Sequence, residues 1–89
     1  LLKVAGLVLV RQRPGTAKGI CFITIEDECG TANLVVFKNI FSRHLKIILQ
    51  ARLLMVEGAL QREGDVIHVV VHRCHDLSAM LGSIALSDE

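Results

Sequence analysis

The chain has no Trp and no Tyr, and its aromatic residues are Phe22, Phe37 and Phe41 alone. Its core must be built from Val, Ile, Leu and Ala, so a ring left at the surface needs a reason. An excess of one charge is also missing: ten Lys and Arg against nine Asp and Glu leave a formal +1. No global attraction to a polyanion follows from that total, and affinity for nucleic acid must come from local clustering. No apolar run approaches the roughly 18–20 residues needed to span a bilayer. The opening LLKVAG carries neither an initiator Met nor a cleavage-site context. The expectation is a soluble piece of a longer protein, with no membrane partner. The cysteines, Cys21, Cys29 and Cys74, are odd in number, and no C-x-x-C is present. That argues against a disulfide framework and fits a reducing cytoplasm. His72 and His75 flank Cys74, but no second ligand pair stands at zinc spacing. Free thiols, no metal and no other cofactor are expected.

What is present is enough apolar material for one small folded domain: 52% of 89 residues are hydrophobic. KVAGLVLVRQ, 3–12, is rich in Val and Leu, with Gly6 marking a bend or bulge. RPGTAKG, 13–19, has loop chemistry. CFITIED, 21–27, alternates, with Cys21, Ile23 and Ile25 on one face and Phe22, Thr24 and Glu26 on the other. DECGTAN is a turn built on Gly30. ANLVVF, 32–37, alternates again, setting Ala32, Leu34 and Val36 against Asn33, Val35 and Phe37. NIFSRHLKIIL, 39–49, changes to helical period through Ile40, Phe41, Leu45, Ile48 and Leu49, with Asn39 or Ser42 as candidate cap. ARLLMVEGALQRE, 51–63, returns to strand, interrupted by Gly58, and a hairpin around Gly64 leads into VIHVVVHR, 66–73. Residues 82–89 read as an acidic tail that frays, leaving 1–81 as the domain.

The order β-β-β-α-β-β predicts an all-β fold with one helix. That is the OB-fold, a five-stranded Greek-key barrel with its helix between strands three and four. An SH3-like barrel is the rival, and the helix argues against it.

Two stretches carry a family likeness. VAGLVLVRQRPGTAKGICFITIEDECGTANLVVF and VEGALQREGDVIHVV together resemble the C-terminal OB domain of bacterial C-family DNA polymerases, DNA polymerase III alpha-like and of the error-prone class. The likeness runs roughly from Val4 to Leu81. F-x-T-x-E-D-x-x-G and V-E-G are shared with other OB families, including anticodon-binding domains, whereas GLVLVRQRPGTAKG with LQREGDVIHVV is more specific. The resemblance implies a parent chain that is a DNA-directed DNA polymerase in the bacterial cytoplasm. It implies a segment that binds single-stranded DNA and contacts other domains of that polymerase or other replication and mutagenesis proteins. Phe37 stands where the family often has Trp, and Cys29 where it often has Thr. The family's catalytic carboxylates belong to a palm domain outside this sequence, so no catalytic residue carries over and the isolated domain is expected not to be an enzyme.

OB-folds bind ligands on the face of strands two and three, flanked by the first loop and the last hairpin. Mapped onto that face, the loop supplies Arg11, Arg13 and Lys18, and the hairpin supplies Arg62. Phe22, Thr24, Asn33, Val35 and Phe37 face the groove. Cations neutralise phosphates without reading sequence, rings stack on bases, and Thr24 and Asn33 reach base edges or sugar. Blander roles stand beside these: a solvated basic loop, Phe37 as packing, Phe41 as core, and His68 and His72 as surface residues. Glu26, Asp27 and Glu28 form an acidic patch that repels DNA. A protein-docking module and an anticodon-binding-type RNA module remain the alternatives to single-stranded DNA binding.

Overall fold

The computed structural model describes residues 1–13 and 19–81. In chain order it has β1 (Leu2–Gln12), β2 (Cys21–Asp27), β3 (Gly30–Val36), α1 (Lys38–Arg43), α2 (Leu45–Gln50), β4 (Leu53–Glu63) and β5 (Val66–Asp76). The strands close into a barrel in the order β1-β2-β3-β5-β4. Every pairing is antiparallel except β3 with β5, which is parallel. A parallel neighbour cannot be reached by a tight hairpin. The chain therefore leaves β3 through the helices and runs up β4 before β5 returns to close the cylinder.

Alternation in β2 and β3 sorts side chains as their sequence requires. Cys21, Ile23, Ile25, Leu34 and Val36 are buried, and Phe22 and Asn33 are exposed. Burying each large aliphatic side chain contributes about 1.5–3 kcal/mol, which holds the barrel shut. Two interior glycines stand where strands approach too closely for a side chain. A Cβ on Gly58 would lie 2.2 Å from the Val70 carbonyl oxygen, and one on Gly6 would lie 2.6 Å from that of Glu26. The tight turns use Gly30 (φ 136°) and Gly64 (φ 60°), conformations that side chains rarely adopt. The Asp27 carboxylate accepts a 2.8 Å bond from the Cys29 amide within the β2–β3 turn.

β5 extends to Asp76, beyond the stretch expected from alternation. The register shifts between Glu57 and Gly58, so the inward sequence on β5 steps from Val71 to Cys74 instead of to Arg73. A bulge of this kind breaks the period-two pattern on which the shorter reading rests.

The single helix expected over 39–49 is two six-residue helices broken at His44 (φ −114°, ψ 30°). The bonds His44 N–H to Ile40 O (3.0 Å) and Ile48 N–H to His44 O (2.9 Å) hold each side. Ile40, Phe41 and Ile48 are buried against the barrel, while Leu45 and Leu49 are exposed. Neither Asn39 nor Ser42 caps a helix. The N-cap positions are Phe37 and His44, and neither makes a side-chain cap bond.

After β5 the chain is tied back onto the start of β4. The Leu77 amide donates to Leu53 O (2.9 Å), and Ser78 Oγ accepts from the Arg52 amide (2.8 Å). The expected fraying of 82–89 lies outside the described residues. Among the described residues, no helix is long and apolar enough to cross a membrane.

Candidate nucleic-acid interface

The outward faces of β2, β3 and β5 form one continuous surface. Phe22 is the cross-strand partner of Val35, and Thr24 of Asn33. Asn33 and Val35 in turn stand beside His68 and Val70. Phe37, just past β3, follows Val35 in the same outward phase. Phe22, Val35, Phe37, Val70, His68 and the β4 residues Gln61 and Glu63 line one shallow groove. Phe22 is 37% exposed and Phe37 44%, while Phe41 is buried. Two of the three rings therefore keep over a third of their surface in water and forgo part of the burial energy available to Phe41.

Polar groups on the same face, beside and within this groove, are partly pre-arranged. The Thr24 hydroxyl donates to Asn33 Oδ1 over 3.3 Å, holding the two side chains side by side. His68 Nδ1 is buried without a hydrogen-bond partner. His68, Gln61 and Val70 join the groove through the β3–β5 and β4–β5 pairings. Sequence reasoning centred on strands two and three did not include them in the binding face, because only barrel closure puts β5 beside β3.

The basic residues are distributed differently from their order in the chain. Arg11 donates through Nε to Ile48 O (2.6 Å) and through Nη2 to Ala51 O. Those carbonyls belong to the C-terminal end of α2, where backbone acceptors lack helical partners and a cation is favoured. Arg13 lies with its guanidinium 4.2 Å from the centroid of the Phe41 ring. Both arginines thus turn to the helical end of the barrel. Lys18 lies outside the described residues. Arg62 pairs with Ile67, in the same inward phase as Leu60 with Val69. Leu60 and Ile67 line the open end of the barrel, whereas the flanking Gln61 and Glu63 line the groove. Arg62 is accordingly on the opposite face of the hairpin from Phe22. A cation that sequence reasoning passed over, Lys38, directly follows Phe37 and is exposed at the start of α1. Its place beside an outward ring at a strand end was the available signal.

The thiols are not poised for chemistry in this groove. Cys21 and Cys74 are buried in the core and Cys29 is exposed. Burial raises the Cys21 thiol above its ordinary value, with Arg13 and Arg11 opposing, and pushes Cys74 up to about 11. Cys74 points into the core while His72 and His75 are exposed, so this run does not converge on a common ligand point. Among the described residues, no group of three or more His, Cys, Asp or Glu is placed to hold a metal ion.

The sequence profile of OB-fold nucleic acid binding domains matches residues 2–77. Over 87 residues the chain is 54% identical to error-prone DNA polymerase 2 of Rhizobium meliloti, covering 98% of this chain and 8% of that protein. It is 54% identical over 83 residues to the error-prone DNA polymerase of Caulobacter vibrioides, covering 93% of this chain and 8% of that protein. The fold also matches asparaginyl-tRNA synthetase from Pyrococcus horikoshii, with a TM-score of 0.66 at 24% identity over 85% of this chain and 19% of that one. At that identity the likeness concerns the barrel alone. The chain spans about 8% of the length of the curated relatives it matches. By its profile and its closed five-stranded barrel, it belongs to the family of OB-fold nucleic acid binding domains, and its relatives at about half identity are segments of error-prone DNA polymerases.

Proposed function

We propose that the chain is the single-stranded DNA-binding module of an error-prone, translesion DNA polymerase, holding a strand across the groove of β2, β3 and β5. The observation that carries this reading is the pair of outward rings, Phe22 and Phe37, on one groove of a barrel whose only other ring is buried. A base stacked on such a ring is worth about 1–3 kcal/mol and any base serves, which suits a polymerase that must hold damaged and undamaged template alike. Thr24, Asn33 and Gln61 offer hydrogen bonds to base edges or sugar, and Lys38 offers charge to a phosphate beside Phe37. Polymerisation itself belongs to the rest of the parent protein. The 89-residue chain is expected to incorporate no nucleotide: two-metal phosphoryl transfer needs a metal site, and among the described residues no group of three or more His, Cys, Asp or Glu is placed to hold one. The parent's place in the bacterial cytoplasm follows from the same reading.

One observation favours a second reading, docking of another protein segment. Among the described residues, the groove lining includes the carboxylate Glu63 and no Lys or Arg. An amide-shift titration with a short oligothymidylate at low salt separates the two. Shifts confined to residues 20–24, 33–38, 61–63 and 68–70 support DNA binding. No shift at millimolar oligonucleotide overturns it in favour of protein docking.

A further inference from the structure

Among the described residues no cation lines the groove, which raises the question of where the phosphates of a bound strand are neutralised. Arg11 is engaged by backbone carbonyls and Arg13 by a ring. The outward face of β5 leads elsewhere. His68 and Val70 on that strand belong to the groove, and beyond the bulge the exposed Arg73 and His75 continue along the same side. From His68 to His75 this track is about 23 Å at roughly 3.3 Å per residue.

Both short helices pack against β5. They bring exposed Arg43, in the last turn of α1, and half-buried His44, at the break before α2, to this end of the strand. Burial holds the His44 imidazole below its ordinary range, and the positive fields of Arg43, His75 and Arg73 hold it lower still. The backbone places the helices there independently: β3 leaves its pairing with β5 where Val35 meets Val70 and enters α1, and β4, after α2, joins β5 where Leu54 meets Asp76, so both helices lie against the far half of β5. Glu57 is the cross-strand neighbour of Arg73, but its carboxylate is taken by Lys3 (3.7 Å) and His75 (3.6 Å). Among the described residues, neither Arg43 nor Arg73 has an ion-pair partner.

We propose that Arg43, His44 and Arg73 form a phosphate-binding patch that receives the backbone of a single strand as it leaves the aromatic groove along β5. This rests on the groove reading above and extends it. The ring platform supplies stacking, and a separate cluster, assembled from the helix break and the far half of β5, supplies charge. The two terms of binding are thus spatially divided, and the patch is reached only by a strand long enough to follow β5. The occupant is a phosphodiester chain because the patch offers two guanidinium groups and an imidazole as donors, and no Phe ring.

The test uses the 89-residue chain with oligothymidylates of about four and about twelve nucleotides, within the roughly 4–16 nucleotides that an OB-fold covers. Wild type should bind the longer strand more tightly, with the steeper salt dependence. Arg43→Glu with Arg73→Glu should weaken the longer strand about tenfold at low salt. It should flatten its slope of log affinity against log salt by roughly 1.4, as expected for two phosphate contacts at about 0.7 each. The short strand should stay within about twofold of wild type. Arg43→Gln with Arg73→Gln, a milder pair, should show the same pattern at smaller size and guards against misfolding. Phe22→Ala should weaken both lengths. If the arginine variants leave the longer strand unaffected, or weaken both lengths alike, the patch is wrong while the groove stands. If the short strand fails to bind wild type, the groove reading falls first and takes the patch with it.

Discussion

The Arg13 guanidinium sits over the Phe41 ring, 4.2 Å from its centroid. A charge that chain order places in a DNA-facing loop is thereby folded back onto the end of the barrel. Arg11 makes the same turn, donating to Ile48 O and Ala51 O. These arginines fasten α2 and the helix-bearing end of the core to β1, a connection between segments nearly half the chain apart.

Replacing Arg11 with Met keeps the stem and removes the donors. Unfolding in urea should show a loss of about 1–2 kcal/mol, the usual scale for charge-assisted bonds at a partly exposed site. The salt slope of oligonucleotide binding should stay within error of wild type. A flattened slope with unchanged stability would return Arg11 to the phosphate contacts.

Phe22→Ala should cost about 1–3 kcal/mol of affinity for single-stranded DNA with no change in salt slope, because stacking releases no counterions. Its effect on stability should be smaller than that of Phe41→Ala. Phe41 is buried, and truncating a core ring typically costs about 3–5 kcal/mol. Fluorescence anisotropy and a melt on the same two variants check both halves. Equal losses of stability would identify Phe22 as packing.

Gly58→Ala should be among the most damaging single-methyl additions in the chain. The new Cβ would meet the Val70 carbonyl oxygen at 2.2 Å, and a backbone oxygen in a closed barrel cannot swing aside. A loss above about 2 kcal/mol is expected, in the upper part of the usual cost of overpacking. Gly64→Ala has open space around it but a φ of 60°, so about 1 kcal/mol is expected there. Thermal melts of the two variants should keep that order, and a reversed order would contradict the close approach of β4 and β5.

Alkaline pH should weaken the fold through Cys74. Its thiol is raised from 9.0 to about 11, burial being the main cause and Cys21 adding to it. A raised folded-state value means the protonated form is favoured on folding. The stability this contributes is fully present below about pH 9 and is lost as pH rises towards about 11. The loss should amount to about 2–3 kcal/mol, and Cys74→Ala should flatten that limb of the curve. An unchanged alkaline limb in the variant would show that other groups produce it.

Much of the barrel is determined by local sequence. The alternation in 21–27 and 32–37 assigns an inner and an outer set of side chains without any knowledge of what they face, because a strand has period two wherever it lies. The same argument placed Phe22, Thr24, Asn33 and Phe37 on one side, and the helical period after residue 38 marked the crossover. The motifs around Gly19 and Gly64 carried the family.

Tertiary structure decided what alternation cannot express. Closing β3 against β5 added His68, Gln61 and Val70 to the groove, since pairing between distant strands has no local signature. The register shift at Gly58 changed which β5 residues point inward, and the phase of the β4–β5 hairpin turned Arg62 away from the groove. Arg11 and Arg13 were drawn to α2 carbonyls and to Phe41, because a long cationic side chain goes to whatever acceptor or ring the fold brings within reach. The helix breaks at His44, with Phe41 and Ile48 buried and Leu45 and Leu49 exposed, and both short helices pack against β5, a neighbour that no local period announces. Local pattern selects the side of a strand on which a residue lies, and closure of the barrel selects its neighbours.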